Sequence, residues 1–267
     1  MDWIGGLYMQ LATFVTLLGI GLVGSFISGM VGIGGSIVKY PLLLYIPPLL
    51  GVAEFTAHEV SGISAVQVLF ASAAGVYAYR RGNYLHPRLI AYMGAAIIVG
   101  SFVGAISAKS FSESSINLVY AVLATIAAVM MFIPKPAEGD RAISEIGFNG
   151  PLAALLAAAV GFFSGIVGAA GAFLLVPIML VVLRIPTRVT VASSLAITLL
   201  SSIGTTAGKF WTGDVLLGPS LIMIWASIVG APLGAAVGRR LHVKWLQILL
   251  AALILATSLK IWLDLLR

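Results

Sequence analysis

The sequence predicts an all-α polytopic membrane protein made of two inverted-topology repeats, each with about five hydrophobic segments and a short helix broken by glycine. Hydrophobic residues make up 60% of the 267 residues and charged residues only 9%, whereas a soluble domain carries roughly 25% charged residues. Apolar runs of about 20 residues, the length that crosses a bilayer as a helix, recur along the chain. A glycine-rich stretch occurs once in each half. These three observations favour an integral membrane protein built by duplication.

The apolar runs lie in the order that a duplicated chain requires. The first membrane repeat, residues 1–133, is followed by a cytoplasmic linker, residues 134–149, and a second membrane repeat, residues 150–267; together they form one membrane domain. An odd number of crossings inserts the second copy upside down, which is typical of many secondary transporters. The second run of each repeat is short, which leaves open whether the first two segments of each repeat span fully or are re-entrant. The runs are residues 7–26, 37–50, 60–79, 89–108 and 116–133, then 152–167, 173–183, 189–210, 221–237 and 246–263.

The distribution of Lys and Arg predicts the orientation, because basic residues accumulate in cytoplasmic loops. With ten crossings, ten basic residues fall on one face and four on the other, and Lys39 is set aside as an intramembrane charge. The richer face is expected to be cytoplasmic, with both termini outside, in the cytoplasmic (inner) membrane of a bacterium. The richer face carries Arg80, Arg81, Arg88, Lys135, Arg141, Arg184, Arg188, Arg239, Arg240 and Lys244, and the other carries Lys109, Lys209, Lys260 and Arg267.

The residue inventory argues against an enzyme, a cofactor protein and a metalloprotein. There are no cysteines and only three histidines, so thiolate catalysis and Cys-ligated centres are excluded. His86 and His242 are expected to be solvated in loops, and Asp214 occupies a turn beside Gly213, where Asp is common. No Ser/His or Asp/Asp pair falls within the apolar runs to support hydrolysis. Cytoplasmic loops explain the net charge of +6, so no nucleic-acid partner is expected.

The glycine-rich stretch is the strongest candidate for a functional site. Its copies read SGMVGIGGSIVKYPLLL, residues 28–44, and SGIVGAAGAFLLVPIML, residues 164–180. Glycines at this density break a helix, and the helix that restarts presents free N–H groups and the positive end of its dipole, which attract anions. The two restarting helices are expected to face each other near the midplane and bind a small oxyanion. The expected binding residues are Gly32, Gly34, Gly35, Ser36, Gly168 and Gly171, and the expected hinges are Pro41 and Pro177.

Close helix packing is the alternative role of such glycines, since small residues let helices approach one another in membranes. For the pairs Gly100/Gly104 and Gly230/Gly234 we prefer this packing interpretation. For the two glycine-rich copies we prefer the binding interpretation.

Lys39 is the one clear intramembrane charge in the sequence. An ionisable residue at that depth is a functional candidate by default, here as the counter-charge of a bound anion, although its side chain can also snorkel along Tyr40 towards an interface. Polar residues of the third and eighth runs recur at about one helical turn, so several can share a helix face and bind an oxyanion. Each hydroxyl can instead bond to its own helix. These residues are Ser61, Ser64, Gln67, Ser193, Ser194 and Thr198.

His58 and Glu59 are candidates for proton coupling, because an imidazole beside a carboxylate can titrate near neutral pH. The same stretch, Thr56-Ala57-His58-Glu59, also fits the S/T-x-x-E capping box, in which Glu59 closes the start of a helix. Both interpretations stay open from the residues alone.

The two motifs resemble those of the sulfite exporter TauE/SafE family of membrane proteins. Each is followed by a Ser/Thr-bearing helix, HEVSGISAVQ or VTVASSLAIT, and by a glycine loop, RRGN or WTGD, so the resemblance covers essentially the whole chain. It implies a permease for sulfite, sulfonates and other small organosulfur or carboxylate anions. The chain departs from the family pattern at Ala169-Ala170-Gly171, which replaces the usual Gly-Gly pair, and at Gly62, which interrupts an expected Thr-Ser.

These patterns together predict a secondary transporter that moves a small sulfur-containing oxyanion by alternating access. An anion channel, which would also use helix dipoles or charges, and a permease for non-sulfur carboxylates are the alternatives. The expected partners are the anionic substrate, the lipid bilayer and a coupling ion, either proton or sodium. A homo-oligomer is compatible with the sequence.

Overall fold

The structure, a computed structural model, describes residues 2–31, 36–79, 84–131, 147–169 and 171–238, together with 248, 252, 255–256 and 258–264. All regular secondary structure in these ranges is helical. Seven of the described helices are long and apolar enough to cross a membrane. The chain is therefore an all-α integral membrane protein.

The helices follow the apolar runs of the sequence, because a long apolar segment satisfies its backbone polar groups in lipid by forming a helix. The first half contains α1 (Asp2–Val31), α2 (Ser36–Leu49), α3 (Ala57–Tyr79), α4 (Pro87–Ser107) and α5 (Glu113–Met131). The second half contains α6 (Gly150–Val167), α7 (Ala172–Pro177), α8 (Thr187–Thr212) and α9 (Leu217–Gly238). A 3₁₀ turn, Ala108–Ser110, follows α4, and a π-helical turn, Ile178–Val182, follows α7. Of the tenth predicted segment, residues 258–264 are described and helical.

Local capping fixes where several helices begin. The Asn149 side chain accepts a hydrogen bond from the Leu152 N–H (3.1 Å) at the start of α6. At the start of α4, His86 Nδ1 accepts one from the Leu89 N–H (3.2 Å), and a proline follows at the first helical position, where its missing N–H costs nothing. His86 is buried, so the expectation that it is a solvated loop residue is wrong. A histidine at a helix start can serve as the cap, which its loop position alone does not reveal.

Two glycine seams hold long helices together. In the first seam α4 packs along α6, and the Cα atoms of Gly100 and Gly104 lie against the carbonyl oxygens of Ala158 and Phe162. A side chain at either glycine would overlap that backbone. Close backbone approach through small residues is a main source of helix association in membranes. The packing interpretation of this glycine pair is confirmed.

The second seam repeats the first with the halves exchanged. Here α9 packs along α1, and Gly230 and Gly234 lie against the carbonyl oxygens of Leu22 and Phe26. The fourth helix of each half, α4 or α9, therefore packs on the first helix of the other half. The packing interpretation of this second pair is confirmed as well.

The helices α3 and α8 form a buried antiparallel pair between the seams. Gly62, near the start of α3, lies on the backbone of Asp214, just beyond the end of α8, whereas Gly75 lies against Leu195 near the start of α8. We call the end of the bundle where α3 begins and α8 ends the His58 end. We call the opposite end, where the His86 N–H donates to Ser193 Oγ (3.1 Å), the His86 end.

The helices α1 and α6 end on opposite sides of this bundle. The C-cap of α6, Gly168, lies on the carbonyl oxygen of Ser61 and is therefore at the His58 end. Because α9 begins just after Asp214, its last residue, Gly238, is at the His86 end, and there it lies on the carbonyl oxygen of Met30 in the last turn of α1.

The described residues that precede the two glycine stretches, the last turns of α1 and α6, therefore lie at opposite ends of the bundle; the first glycine stretch itself, residues 32–35, is outside the described residues. With 30 and 18 residues, α1 and α6 are roughly 45 Å and 27 Å long at 1.5 Å per residue. Each helix is long enough to cross the hydrocarbon before the chain turns.

Candidate functional site

Lys39 lies wholly buried between α2 and α1. Its aliphatic chain packs into the space left by the missing side chain of Gly24, and its Nζ has no hydrogen-bond partner among the described residues. The adjacent Tyr40 points the other way, where its hydroxyl donates to Asn117 Oδ1 (2.8 Å) and its ring stacks on Tyr120 with centroids 4.8 Å apart. Lys39 therefore does not snorkel to an interface along Tyr40.

Gln67 of α3 reaches the same stretch of α1. Its Nε2 donates to the Gly21 carbonyl (3.2 Å) and to Ser25 Oγ (2.9 Å), and Ser25 Oγ shares a further hydrogen bond with Ser227 Oγ of α9 (2.9 Å). The Gln67 Oε1 atom is buried and has no partner in the described ranges. The amide thus fixes α3 to α1 and leaves one acceptor unused.

The contacts of Lys39 and Gln67 define a polar face on α1. Gly21, Ser25 and Ser28 recur at i, i+4 and i+7, so they lie along one side of that helix. Ser28 Oγ is buried without a described partner, and so is Ser64 Oγ, one turn before Gln67 on α3. We name Ser25, Ser28, Lys39, Ser64 and Gln67 the central polar cluster. It offers an ammonium group and several hydroxyl donors, and it contains no carboxylate.

Two of the predicted polar residues of α8, Ser193 and Ser194, lie near the His86 end, where α8 begins, and bond to other groups. Ser193 Oγ accepts the His86 N–H, and Ser194 Oγ donates to the Val191 carbonyl of its own helix (3.0 Å). Thr198, one turn further along, is buried with its Oγ1 unpartnered among the described residues. Because α3 and α8 are antiparallel, the first turns of the two helices are separated by most of the pair's length.

Ser61 also bonds to its own helix, since its Oγ donates to the His58 carbonyl (2.7 Å). Of the six polar residues predicted to share a ligand, Ser64, Gln67 and Thr198 each have a buried polar atom without a partner among the described residues.

The second glycine turn serves the packing of α3. Gly168 (φ 76°) and Gly171 (φ 69°) both adopt the left-handed conformation, which favours glycine. Gly168 lies on the backbone of Ser61, and Gly171 lies against Val160 and Ser164. The helix that follows, α7, has only 6 residues and ends at Pro177, where the π-helical turn begins.

The first glycine turn falls outside the described residues, which omit Gly32, Gly34 and Gly35. Ser36 is the first residue of α2, and its side chain is not described. Pro41 lies inside α2.

A buried ion pair at the His58 end was not foreseen from the sequence. Lys209, which the charge count assigned to the face with fewer basic residues, is wholly buried in the last turn of α8, and its Nζ lies 3.1 Å from Asp214 Oδ2. The Thr212 hydroxyl donates to the same oxygen (2.8 Å). Gly213, in the left-handed conformation (φ 82°), turns the chain so that the carboxylate folds back onto the helix end. A lysine in a last turn followed by Gly-Asp is the signal that would have indicated this pair.

His58 lies next to this ion pair, whereas Glu59 does not take part in it. His58 Nδ1 is 3.9 Å from Asp214 Oδ2, and its Nε2 is 3.1 Å from the Phe111 carbonyl oxygen. Glu59 Oε2 accepts the Thr56 N–H (2.9 Å), and Thr56 Oγ1 accepts the Glu59 N–H (3.2 Å). These reciprocal bonds form the capping box at the start of α3.

The match with a known family extends over nearly all of this bundle. The family model described as Sulfite exporter TauE/SafE matches residues 17–261. The chain belongs to the sulfite exporter TauE/SafE family. The matched range includes both glycine seams, the central polar cluster and the ion pair at the His58 end. The protein is therefore a membrane transporter of the TauE/SafE family.

Relatives of this TauE/SafE protein carry names of the same kind. The Probable membrane transporter protein YunE of Bacillus subtilis (strain 168) is 24% identical over 250 residues, 87% of this chain and 91% of the relative. A Probable membrane transporter protein of Xylella fastidiosa (strain Temecula1) is 27% identical over 192 residues, 70% of each chain. The Probable membrane transporter protein MJ0441 of Methanocaldococcus jannaschii is 23% identical over 252 residues, 89% of this chain and 91% of the relative. No solved structure matches the chain significantly.

Proposed function

We propose that this TauE/SafE-family transporter is a secondary carrier that moves small sulfur-containing oxyanions, such as sulfite and sulfonates, by alternating access. The observation that carries the proposal is Lys39, wholly buried and without a described hydrogen-bond partner. An uncompensated ammonium group in a low-dielectric interior costs several kcal/mol, and charges inside membrane proteins mark substrate pathways. A bound anion supplies the missing counter-charge.

The rest of the central polar cluster suits an oxyanion. A charge-assisted hydrogen bond from Lys39, together with a hydroxyl donor from either Ser28 or Ser64, can satisfy oxygens of a sulfite or sulfonate group. Gln67 Oε1 offers an acceptor to a substrate hydroxyl, such as that of bisulfite. Gly32, Gly34, Gly35 and Ser36, which precede Lys39 in the chain, remain part of the proposed site.

The packing of the two halves supports inverted repeats. In the α4–α6 seam the fourth helix of the first half packs on the first helix of the second half, and in the α1–α9 seam the fourth helix of the second half packs on the first helix of the first half. The corresponding helices α3 and α8 run antiparallel. In the proposed cycle, the two seams move as rigid pairs around α3 and α8 and expose the cluster to either side in turn. Pro41 and Pro177, in the short helices α2 and α7, are the proposed hinges.

Counterflow in proteoliposomes tests the carrier. Vesicles loaded with unlabelled sulfite are expected to accumulate labelled external sulfite transiently and saturably, because a carrier exchanges one substrate for another across the membrane. Competition by sulfoacetate, taurine and lactate distinguishes sulfur oxyanions from carboxylates. A flux that does not saturate and far exceeds about 10³ per second, the upper range of ordinary turnover, would instead support an anion channel.

Reporter fusions test the proposed orientation in a bacterial cytoplasmic membrane. A fluorescent protein that matures only in the cytoplasm should fluoresce when fused at Arg141, and a phosphatase active only outside should be active when fused after Arg267. The matched controls are the same two reporters exchanged between the two sites, which should both be inactive. Activity of a reporter on the wrong side would contradict the orientation.

A further inference from the structure

We propose that His58 and Asp214 form a proton-binding site through which protons control access to the carrier from the His58 end. The inference rests on the proposed carrier function and adds the proton as the ion that acts on it. It differs from the sequence-based pairing of His58 with Glu59, because Glu59 is engaged with Thr56 in the capping box.

The hydrogen bonds of His58 determine where a proton would be added. The Phe111 carbonyl, 3.1 Å from Nε2, can only accept, so the neutral ring carries its hydrogen on Nε2 in this arrangement. Its lone pair is then on Nδ1, which is 3.9 Å from Asp214 Oδ2. Protonation places an N–H on Nδ1 and creates an imidazolium opposite the carboxylate.

Each element around the ring contributes a charged or titratable group. Lys209 of α8 neutralises Asp214 at 3.1 Å. On α5, Glu113 Oε2 accepts the Ala57 N–H at 3.4 Å, one residue before His58. On α3 itself, Glu59 is held by Thr56. The charged groups on the elements around the ring are thus three carboxylates, Asp214, Glu113 and Glu59, and one ammonium group, that of Lys209.

The contact joins the two halves of the protein. His58 belongs to α3 of the first half, and Asp214 follows α8 of the second half. The backbone of Asp214 also lies directly against Gly62 of α3. An ion pair across this boundary holds the two helix ends together. Protonation therefore favours the state closed at the His58 end, and loss of the proton favours opening.

A single engineered cysteine can report this opening, because the native chain has no cysteines. Ala65 is wholly buried and lies two turns after His58 on the same face of α3. The Ala65→Cys protein is placed in lipid nanodiscs, where a water-soluble thiol reagent has access to both faces of the bilayer. The result therefore does not depend on the orientation of the protein in the membrane. Labelling is compared at pH 5.5 and pH 8.

The control variants separate gating from the intrinsic pH dependence of the thiol. Ala65→Cys/His58→Gln keeps an amide donor for the Phe111 carbonyl but cannot gain the charge. Ala65→Cys/Glu59→Gln removes the neighbouring carboxylate and preserves the capping box, which accepts either residue. The ratio of labelling rates, pH 8 over pH 5.5, is expected to be about five- to tenfold larger in the Ala65→Cys protein than in its His58→Gln form, a typical size for coupling between two sites.

The outcomes decide the inference without a transport assay. A ratio that is larger in Ala65→Cys and in its Glu59→Gln form than in its His58→Gln form supports the proton site. Equal ratios in all three proteins, or no labelling of any of them at pH 8, would overturn it. If His58→Gln does not fold, Lys209→Met/Asp214→Asn removes the partner without leaving a buried ammonium group unpaired and should also abolish the difference. Failure of counterflow would overturn the carrier itself, so the two failures are distinguishable.

Discussion

Replacing Lys39 with Met is expected to weaken the binding of sulfite to the purified protein at least about a hundredfold. Losing one member of a buried, hydrogen-bonded charge pair costs about 2–5 kcal/mol or more, and about 2.7 kcal/mol corresponds to a hundredfold change in affinity. Methionine keeps the length of the side chain against Gly24 and removes only the charge. Isothermal titration calorimetry measures the change directly.

The same variant is expected to raise the thermal unfolding midpoint without ligand. Replacing a buried charge with an apolar group of similar volume is often stabilising, and Lys39 Nζ has no partner among the described residues. Lys109→Met, at an exposed position, is the matched control and should alter neither property. Unchanged sulfite affinity in Lys39→Met would contradict the substrate site. Lower stability together with unchanged affinity would make Lys39 a structural residue.

Replacing Gly104 or Gly234 with Leu is expected to prevent correct assembly of the bundle, at a cost of about 3 kcal/mol or more. At each position a Cβ would overlap a carbonyl oxygen, that of Phe162 or that of Phe26. Overpacking usually costs about 1–3 kcal/mol, and here the obstacle is backbone, which cannot move aside as a flexible side chain can. The yield of monodisperse protein and its thermal unfolding midpoint measure the effect.

Gly19→Leu is the matched control for these variants, because it introduces the same side chain into a membrane-crossing helix at a position with no atom within 4 Å. It should assemble normally. Because Gly104 and Gly234 occupy corresponding places in the two seams, their effects should be similar. Normal assembly of either variant would mean that the seams can separate without loss of the fold.

The crossings of this protein could be predicted from composition, whereas the depth of its polar residues could not. The ends of α3 and α8 lie within three residues of the predicted runs, because the switch from apolar to polar sequence is local. The charge count assigns Lys209, near the end of the apolar run 189–210, only to the face with fewer basic residues. Its burial depends on Asp214, which the turn at Gly213 returns to the helix end.

The candidate site was predicted in part for a similar reason. Lys39, Ser64 and Gln67 could be selected as polar residues in apolar surroundings, but their grouping depends on a shared face of α1. Ser25 and Ser28 carry no signal of their own in the sequence, because a single serine in a membrane helix can bond to its own backbone. The separation of the described ends of α1 and α6 depends on tertiary packing, at Gly238 against Met30 and at Gly168 against Ser61, which a motif search does not consider.

The exchanged glycine seams have a consequence for biosynthesis. When the ribosome has made only the first half, α1 and α4 lack the helices on which their small residues pack, because α9 and α6 have yet to be translated. Neither half can complete its own interior, so the newly inserted first half must persist in the membrane as an unfinished intermediate. A nascent chain truncated before α9 would retain an uncovered α1 groove and would be a natural target for membrane quality control.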